Sequence, residues 1–150
     1  MTAAASTLEE RVAEVRGRIA RAASRSGRPP ESVTLIAVTK THPAETVLEA
    51  FTAGLTDFGE NRVQEATAKA EEVSQSLGTQ ALVAGGPRWH LIGHLQTNKV
   101  RAALGTFAIL HPVDSERLLR AVYGAATYPI QVFIEVKGAA DPQKSGVTAA

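Results

Sequence analysis

Hydrophobic positions along this chain form helical stripes in some segments and short continuous runs in others, and their order predicts the fold. The first stripe recurs at spacings of three and four residues, which is typical of an amphipathic helix; it consists of Leu8, Val12, Val15, Ile19 and Ala22. Thr7 and Glu10 have the T-x-x-E spacing of a capping box, and Gly27 and Pro29 end the helix. Because its other faces carry arginines, we expect this helix on the outside of the fold.

Beyond residue 32, short apolar runs alternate with helical stripes. The runs have the length of strands and lie at residues 33–39, 55–58, 88–92, 107–110 and 130–136. Helices are predicted between them, after Pro43, over 62–77, over 95–104 and after a cap at Asp114 or Ser115. The first run is almost wholly apolar, which predicts a strand buried on both faces. Alternation of strands and helices implies a parallel sheet, so the fold class is α/β, either an open doubly wound sheet or a TIM-type barrel.

Composition narrows the classes of function. With 150 residues, 44% of them hydrophobic, the chain has the size and apolar content of one globular domain. A formal net charge of +1 gives no reason to expect nucleic acid or an anionic membrane as a partner. The absence of cysteine excludes disulfides, thiolate nucleophiles and cysteine-ligated zinc, and it fits a cytoplasmic protein. We see neither a signal peptide nor a membrane span in the sequence.

Polar residues collect where the predicted strands end, which is where both architectures place their sites. All four histidines lie at or near these ends, as do Lys40 and Asn61. Lys40 directly follows an apolar strand, where partial desolvation favours the neutral amine that attacks an aldehyde to form a Schiff base. The alternative is a lysine that reaches solvent from the end of a strand. Position alone favours this second interpretation.

Other polar patterns have ordinary structural explanations beside functional ones. His90 and His94 are four residues apart, but Leu91 replaces the glutamate that the helical zinc motif requires, so a metal is the weaker interpretation. Gly59 and Asn61 fit a turn followed by a helix cap. The sequence contains neither a G-x-G-x-x-G motif nor a Walker motif, which argues against a dinucleotide or ATP site.

Four segments together resemble one known family, the pyridoxal phosphate homeostasis proteins (the YggS/PROSC family). They read IAVTKTHP at 36–43, FGENRVQE at 58–65, WHLIGHLQTNK at 89–99 and QKSG at 143–146. Four motifs in the family's order, spread over more than a hundred residues, make the resemblance specific.

The resemblance implies a TIM-type barrel similar to the N-terminal domain of alanine racemase, with pyridoxal 5'-phosphate (PLP) bound to Lys40 as a Schiff base. By the same resemblance, Asn61 and His90 lie close to the cofactor, and Lys144 matches a family lysine to which we assign no chemistry. The implied function is PLP binding and homeostasis in the cytoplasm, by a monomer without robust catalysis. PLP-dependent apoenzymes are the partners that this function suggests.

Two features depart from the family. Glu135-Val136-Lys137 stands where the family often has a Q-V-N pattern, so the polar contacts there are expected to differ. A TIM barrel has eight strands in about 250 residues, and its phosphate site commonly follows strands seven and eight. We therefore expect one domain over 1–150 that is the N-terminal portion of such a barrel, with about five strands and without the C-terminal strands and phosphate loop.

The sequence leaves three alternative functions open. The first is an amino-acid racemase, which would need a second catalytic group, and Tyr123 and Tyr128 are the only tyrosines. The second is a metal-dependent barrel hydrolase that uses His90, His94 and Asp114. The third is a fragment that binds no cofactor.

Overall fold

The computed structural model describes residues 6–79, 85–138 and 145–148. Its helices are α1 (Leu8–Arg25), α2 (Ala44–Thr52), α3 (Val63–Leu77), α4 (Val100–Thr106) and α5 (Glu116–Ala125), with 3-10 turns at Pro30–Ser32 and Thr97–Lys99. Its strands are β1 (Ile36–Val38), β2 (Asp57–Glu60), β3 (Arg88–Leu91), β4 (Ile109–Val113), β5 (Gln131–Ile134), β6 (Val136–Lys137) and β7 (Val147–Thr148). In these ranges, no helix has the length and apolar character needed to cross a membrane.

The first five strands form one parallel sheet in the order β1-β2-β3-β4-β5, which confirms the α/β prediction. Helices α2 to α5 follow β1 to β4 in turn, as the alternation of stripes and runs predicts. Strands β1 and β5 are the two edges of the sheet and are not paired with each other in the described chain. The structure therefore contains a five-stranded parallel sheet, without showing closure into a barrel.

Side chains alternate between the two faces of this sheet. We call one the helix face; it carries Phe58, Glu60, Trp89, Leu91 and Leu110, all buried. Phe58 and Trp89 pack with ring centroids 5.8 Å apart, in a core shared with helix residues such as Val47, Val73 and Val122. The other we call the His90 face; it carries Asp57, Gly59, His90, His111 and Phe133.

The capping box predicted at the start of the first helix is confirmed. The hydroxyl of Thr7 accepts from the N–H of Glu10 at 3.2 Å, and the Glu10 carboxylate accepts from the N–H of Thr7 at 2.9 Å. This reciprocal pair satisfies two backbone donors that a helix start otherwise leaves free.

The prediction that strand 33–39 is buried on both faces is wrong. Strand β1 spans only Ile36–Val38, and Val38 is 51% exposed. The physical reason is its position: β1 lies at the edge of the sheet and has a neighbour, β2, on one side only. The run predicted over 130–136 is also divided, into β5 and a separate β6 that pairs with β7.

Candidate functional site

The loops after β2 and β3 approach each other so closely that one position requires glycine. A Cβ built on Gly93 would lie 2.4 Å from the carbonyl oxygen of Asn61 and 2.6 Å from its Cβ. Real side chains never come this close, so the backbone after β3 packs directly on Asn61. Gly93 therefore fixes the position of Asn61, which is half-buried and continues the alternation of Asp57 and Gly59 onto the His90 face.

A chain of hydrogen bonds crosses the His90 face. His90, only 3% exposed, lies 2.9 Å through Nε2 from the Asp57 carboxylate and 3.0 Å through Nδ1 from Nε2 of His111. His111 in turn stacks on Phe133, with ring centroids 4.7 Å apart and planes 20° apart. Strands β2, β3, β4 and β5 are thus connected by side chains as well as by their backbones.

Two groups in this chain of hydrogen bonds, Asp57 and His111, have shifted pKa values. Burial raises the pKa of the Asp57 carboxyl, but hydrogen bonds from Arg88, His90 and Thr56 outweigh it and hold that pKa below its usual range. Asp57 is therefore ionised near neutral pH and accepts a hydrogen bond from Nε2–H of His90. Burial lowers the pKa of His111, and the positive charge that His90 can carry lowers it further. Burial and the neighbouring His90 therefore both favour the neutral form of His111.

Lys40 lies in the turn after β1, and its environment differs from expectation. Thr39, the residue before it, is buried on the helix face, where its hydroxyl donates to Glu60. The Lys40 side chain is exposed, and within the described ranges it makes neither a hydrogen bond nor an ion pair. The predicted partial desolvation of Lys40 is therefore not present, because β1 is an edge strand without a second neighbour to cover the amine.

A second lysine, which sequence reasoning missed, is buried beneath Lys40. Lys69 of α3 is 6% exposed, and its Nζ lies 2.6 Å from Oε1 of the fully buried Glu60. It also donates to the carbonyl of Thr39 at 2.9 Å. The available signal was its spacing: position 69 lies three residues after Ala66 and four before Val73, on the apolar stripe of α3. Asp57 was likewise missed, although it is a charge inside a predicted strand.

The structure does not bring His90 and His94 together, as the metal hypothesis would require. His90 is engaged with Asp57 and His111, whereas His94 is 65% exposed and lies 3.5 Å from Asp114. The two histidines therefore belong to different environments. Across the described ranges, no group of three histidine, aspartate or glutamate side chains is placed to hold a metal ion.

The two tyrosines are also far from the role that a racemase would give them. Tyr123 projects from α5 into solvent, and the hydroxyl of Tyr128 donates to the carbonyl of Leu104 in α4. Both belong to the helical layer and not to the His90 face.

The fourth motif lies only partly within the described residues. Gln143 and Lys144 lie outside them, so the prediction for Lys144 is not addressed. Ser145 donates to the Glu135 carboxylate at 3.1 Å, and β7, just after Gly146, pairs with Val136 and Lys137 of β6. The E-V-K stretch that departs from the family pattern thus contacts the end of the QKSG segment.

Comparison with known proteins identifies relatives of this chain. It is 41% identical over 145 residues to the pyridoxal phosphate homeostasis protein of Pseudomonas aeruginosa, and 40% identical over 139 residues to that of Escherichia coli. These matches cover 94% and 91% of this chain, and 59% and 57% of the relatives. By sequence, the chain is therefore a homologue of the pyridoxal phosphate homeostasis proteins over most of its length. It spans about three-fifths of the length of these relatives. No family model matches the chain.

Solved structures also match this chain. PipY of Synechococcus elongatus, in a structure with PLP bound, matches with a TM-score of 0.65 and 40% identity over 82% of this chain and 56% of PipY. A protein of unknown function from Bifidobacterium adolescentis matches with a TM-score of 0.80 and 35% identity, over 93% of this chain and 58% of that one. The fold is therefore shared with these solved structures over 82% to 93% of this chain.

Proposed function

We propose that this chain binds pyridoxal 5'-phosphate on the His90 face and holds it as a Schiff base on Lys40. The observation that carries the proposal is the exposed Lys40 amine after β1, in a chain whose structural neighbour PipY has been solved with PLP bound. The cofactor would supply an aldehyde. The unprotonated amine of Lys40 adds to the aldehyde carbon, and the C=N bond forms with loss of one water.

The described residues fit such a group. Beside Lys40, the His90 face offers the half-buried amide Asn61 and two partly exposed apolar side chains, Val38 and Phe133. An aromatic pyridine ring can pack against such apolar surface, while an amide group can form hydrogen bonds with its substituents. We propose that Asn61 and His90 lie near the bound cofactor. An amide and an imidazole are polar groups of the kind found in cofactor sites, which supports this placement.

We further propose that the function is PLP homeostasis in the cytoplasm, with PLP-dependent apoenzymes as recipients. What supports the homeostasis role is the name of the curated relatives, pyridoxal phosphate homeostasis protein. A carrier needs an amine that reacts reversibly, and an exposed lysine allows solvent to reverse the imine. We expect no robust catalysis, since both tyrosines lie in the helical layer. We also propose that the five strands are part of a TIM-type barrel and that the protein is a monomer.

The attachment is tested by adding PLP, reducing the product with borohydride and mapping the modified peptide. The expected result is a single modified lysine, Lys40, in the wild-type protein and none in Lys40→Ala. Lys99→Ala, which removes a lysine from the 3-10 turn before α4, is the matched control and should be modified normally at Lys40. Modification at another lysine while Lys40 stays free would refute the proposed attachment.

The homeostasis role is tested in cells that lack their own member of this family. Expression of the wild-type chain should restore free PLP to its normal level, and Lys40→Ala should not. Equal rescue by both would contradict a role for the Schiff base. Efficient alanine racemisation by the purified protein would favour the enzymatic alternative.

A further inference from the structure

The buried Lys69 makes two hydrogen bonds and one longer ion pair through its ammonium group. Its Nζ donates to Glu60 at 2.6 Å and to the carbonyl of Thr39 at 2.9 Å, and it lies 3.6 Å from the Glu65 carboxylate. An ammonium group has three donors and no acceptor. Lys69 is therefore paired and enclosed, so it is unsuited to attack an aldehyde.

The partners of Lys69 bind both residues that flank Lys40. On the amino-terminal side, the hydroxyl of Thr39 donates to Glu60 at 2.8 Å, and the N–H of Thr39 donates to the carbonyl of Gly59 at 3.1 Å. On the carboxyl-terminal side, the N–H of Thr41 donates to Glu65 at 3.0 Å. The backbone on either side of Lys40 is thus fixed to β2 and α3.

Two further features indicate that this segment is held tightly. Thr41 has a φ of 66°, in the left-handed region that non-glycine residues seldom adopt. The N–H of Thr41 lowers the pKa of the Glu65 carboxyl against the opposing effect of burial, and Lys69 lowers it further, so Glu65 is an ionised acceptor. A charged acceptor strengthens the bond that holds this turn.

We propose that Lys69 and Glu60 are positioning residues, which fix the backbone of residues 39–41 and thereby direct the Lys40 amine onto the aldehyde of the cofactor. This inference rests on the proposed attachment at Lys40. An exposed lysine has many rotamers, so a rigid backbone at its base reduces the number of orientations that the amine explores. Misplacing a reacting group by 1 Å can cost about a hundredfold in rate.

Breaking only one partner would give an ambiguous result. Lys69→Met leaves the Glu60 carboxylate buried, and Oε2 of Glu60 already has no hydrogen-bond partner among the described contacts. Such a variant would lose stability for reasons unrelated to Lys40. The informative variant is therefore the double substitution Glu60→Leu with Lys69→Met, which removes both charges and keeps similar volume. It removes the bond from Lys69 to the Thr39 carbonyl and the bond from the Thr39 hydroxyl to Glu60 without stranding a charge.

The matched control is Val73→Ala. Val73 is buried on the same helix, α3, and its truncation loosens helix packing without removing any contact to residues 39–41. Lys69→Arg serves as the conservative variant, because it keeps a positive charge and donors beside Glu60.

The test measures the rate of Schiff-base formation with PLP by stopped-flow absorbance, together with hydrogen exchange of the Thr41 amide without cofactor. We expect imine formation in the double variant to slow by between about tenfold and a hundredfold, with faster exchange at Thr41. Lys69→Arg should recover part of the rate, and Val73→Ala should react at the wild-type rate.

Each outcome separates the two proposals. A double variant that is folded and reacts at the wild-type rate would overturn the positioning role while leaving the attachment at Lys40 intact. Equal slowing by Val73→Ala would also overturn it, because general loosening would then explain the effect. If borohydride mapping shows that the wild-type protein does not react at Lys40, both proposals fail, whatever the exchange rate at Thr41.

Discussion

The buried carboxylate of Asp57 allows the sharpest test of the His90 face. Asp57→Asn keeps the size of the side chain and an oxygen that accepts from His90, but it removes the charge. The bond from His90 changes from a charge-assisted bond, about 1.5–3 kcal/mol, to a neutral one of about 0.5–1.5 kcal/mol. Arg88 contributes little to the difference, because it is 55% exposed and such pairs are worth about 0–1 kcal/mol. The expected loss of unfolding free energy is therefore about 1–2 kcal/mol.

The measurement is urea unfolding at pH 7, with Asp114→Asn as the matched control. Asp114 also faces a histidine, but His94 is mostly exposed and 3.5 Å away, so its loss should change stability by no more than about 0.5 kcal/mol. A difference of about 1 kcal/mol between the two variants would support the buried network. Equal effects of the two substitutions would refute the inference that burial makes the Asp57 bond strong.

The same variant gives an independent result in acid. The folded pKa of Asp57 lies below the ordinary value of 3.8, so the folded protein takes up this proton later than the unfolded chain does. Its contribution to stability is complete above pH 3.8 and is lost as pH falls through the folded pKa. The stability difference between wild type and Asp57→Asn should therefore shrink as pH falls through this window. A difference that stays constant would show that the charge of Asp57 contributes nothing.

Three further tests by substitution address other parts of the site. Gly93→Ala should cost about 1–3 kcal/mol by overpacking against Asn61, measured by thermal unfolding; stability unchanged from wild type would contradict the close approach. The lowered pKa of His111 means that the unfolded chain binds its proton first, near the ordinary pH of 6.5, so stability is complete above this pH and falls below it. His111→Gln should remove this slope, which is at most about 1.4 kcal/mol per pH unit, and an unchanged slope would assign it elsewhere. Lys69→Met should cost about 3–5 kcal/mol by leaving the Glu60 carboxylate unpaired, and addition of Glu60→Leu should recover most of this in urea unfolding; a double variant as unstable as the single one would contradict the charge argument.

The order of elements could be predicted from the sequence because each signal is local. The capping box at Thr7 and the stripe of α1 depend on residues within a few positions of each other, and the structure confirms both. The burial of strand 33–39 could not be predicted, since it depends on how many neighbours the strand has in the sheet. An apolar run looks the same in a central strand and in an edge strand such as β1.

The residues of the candidate site were also only partly predictable from the sequence. Lys40, Asn61 and His90 were found because they lie in motifs or at strand ends. Lys69 was missed because a lysine is normally a surface residue, and its partner Glu60 is nine residues away on another element. Only the three-dimensional packing of α3 on β2 shows that these opposite charges share one buried volume.

Strand β2 connects the two polar networks, because alternation sends its two carboxylates to opposite faces. Asp57 projects onto the His90 face, while Glu60 projects onto the helix face and pairs with Lys69. Between them, Gly59 leaves space for Ile36 and Ile92, whose methyl groups would lie 3.2 Å and 3.1 Å from a Cβ there. A slip of one residue would exchange the two carboxylates and bury each without its partner. The register of this four-residue strand therefore determines both the chain of hydrogen bonds across the sheet and the contacts that hold the backbone at Lys40.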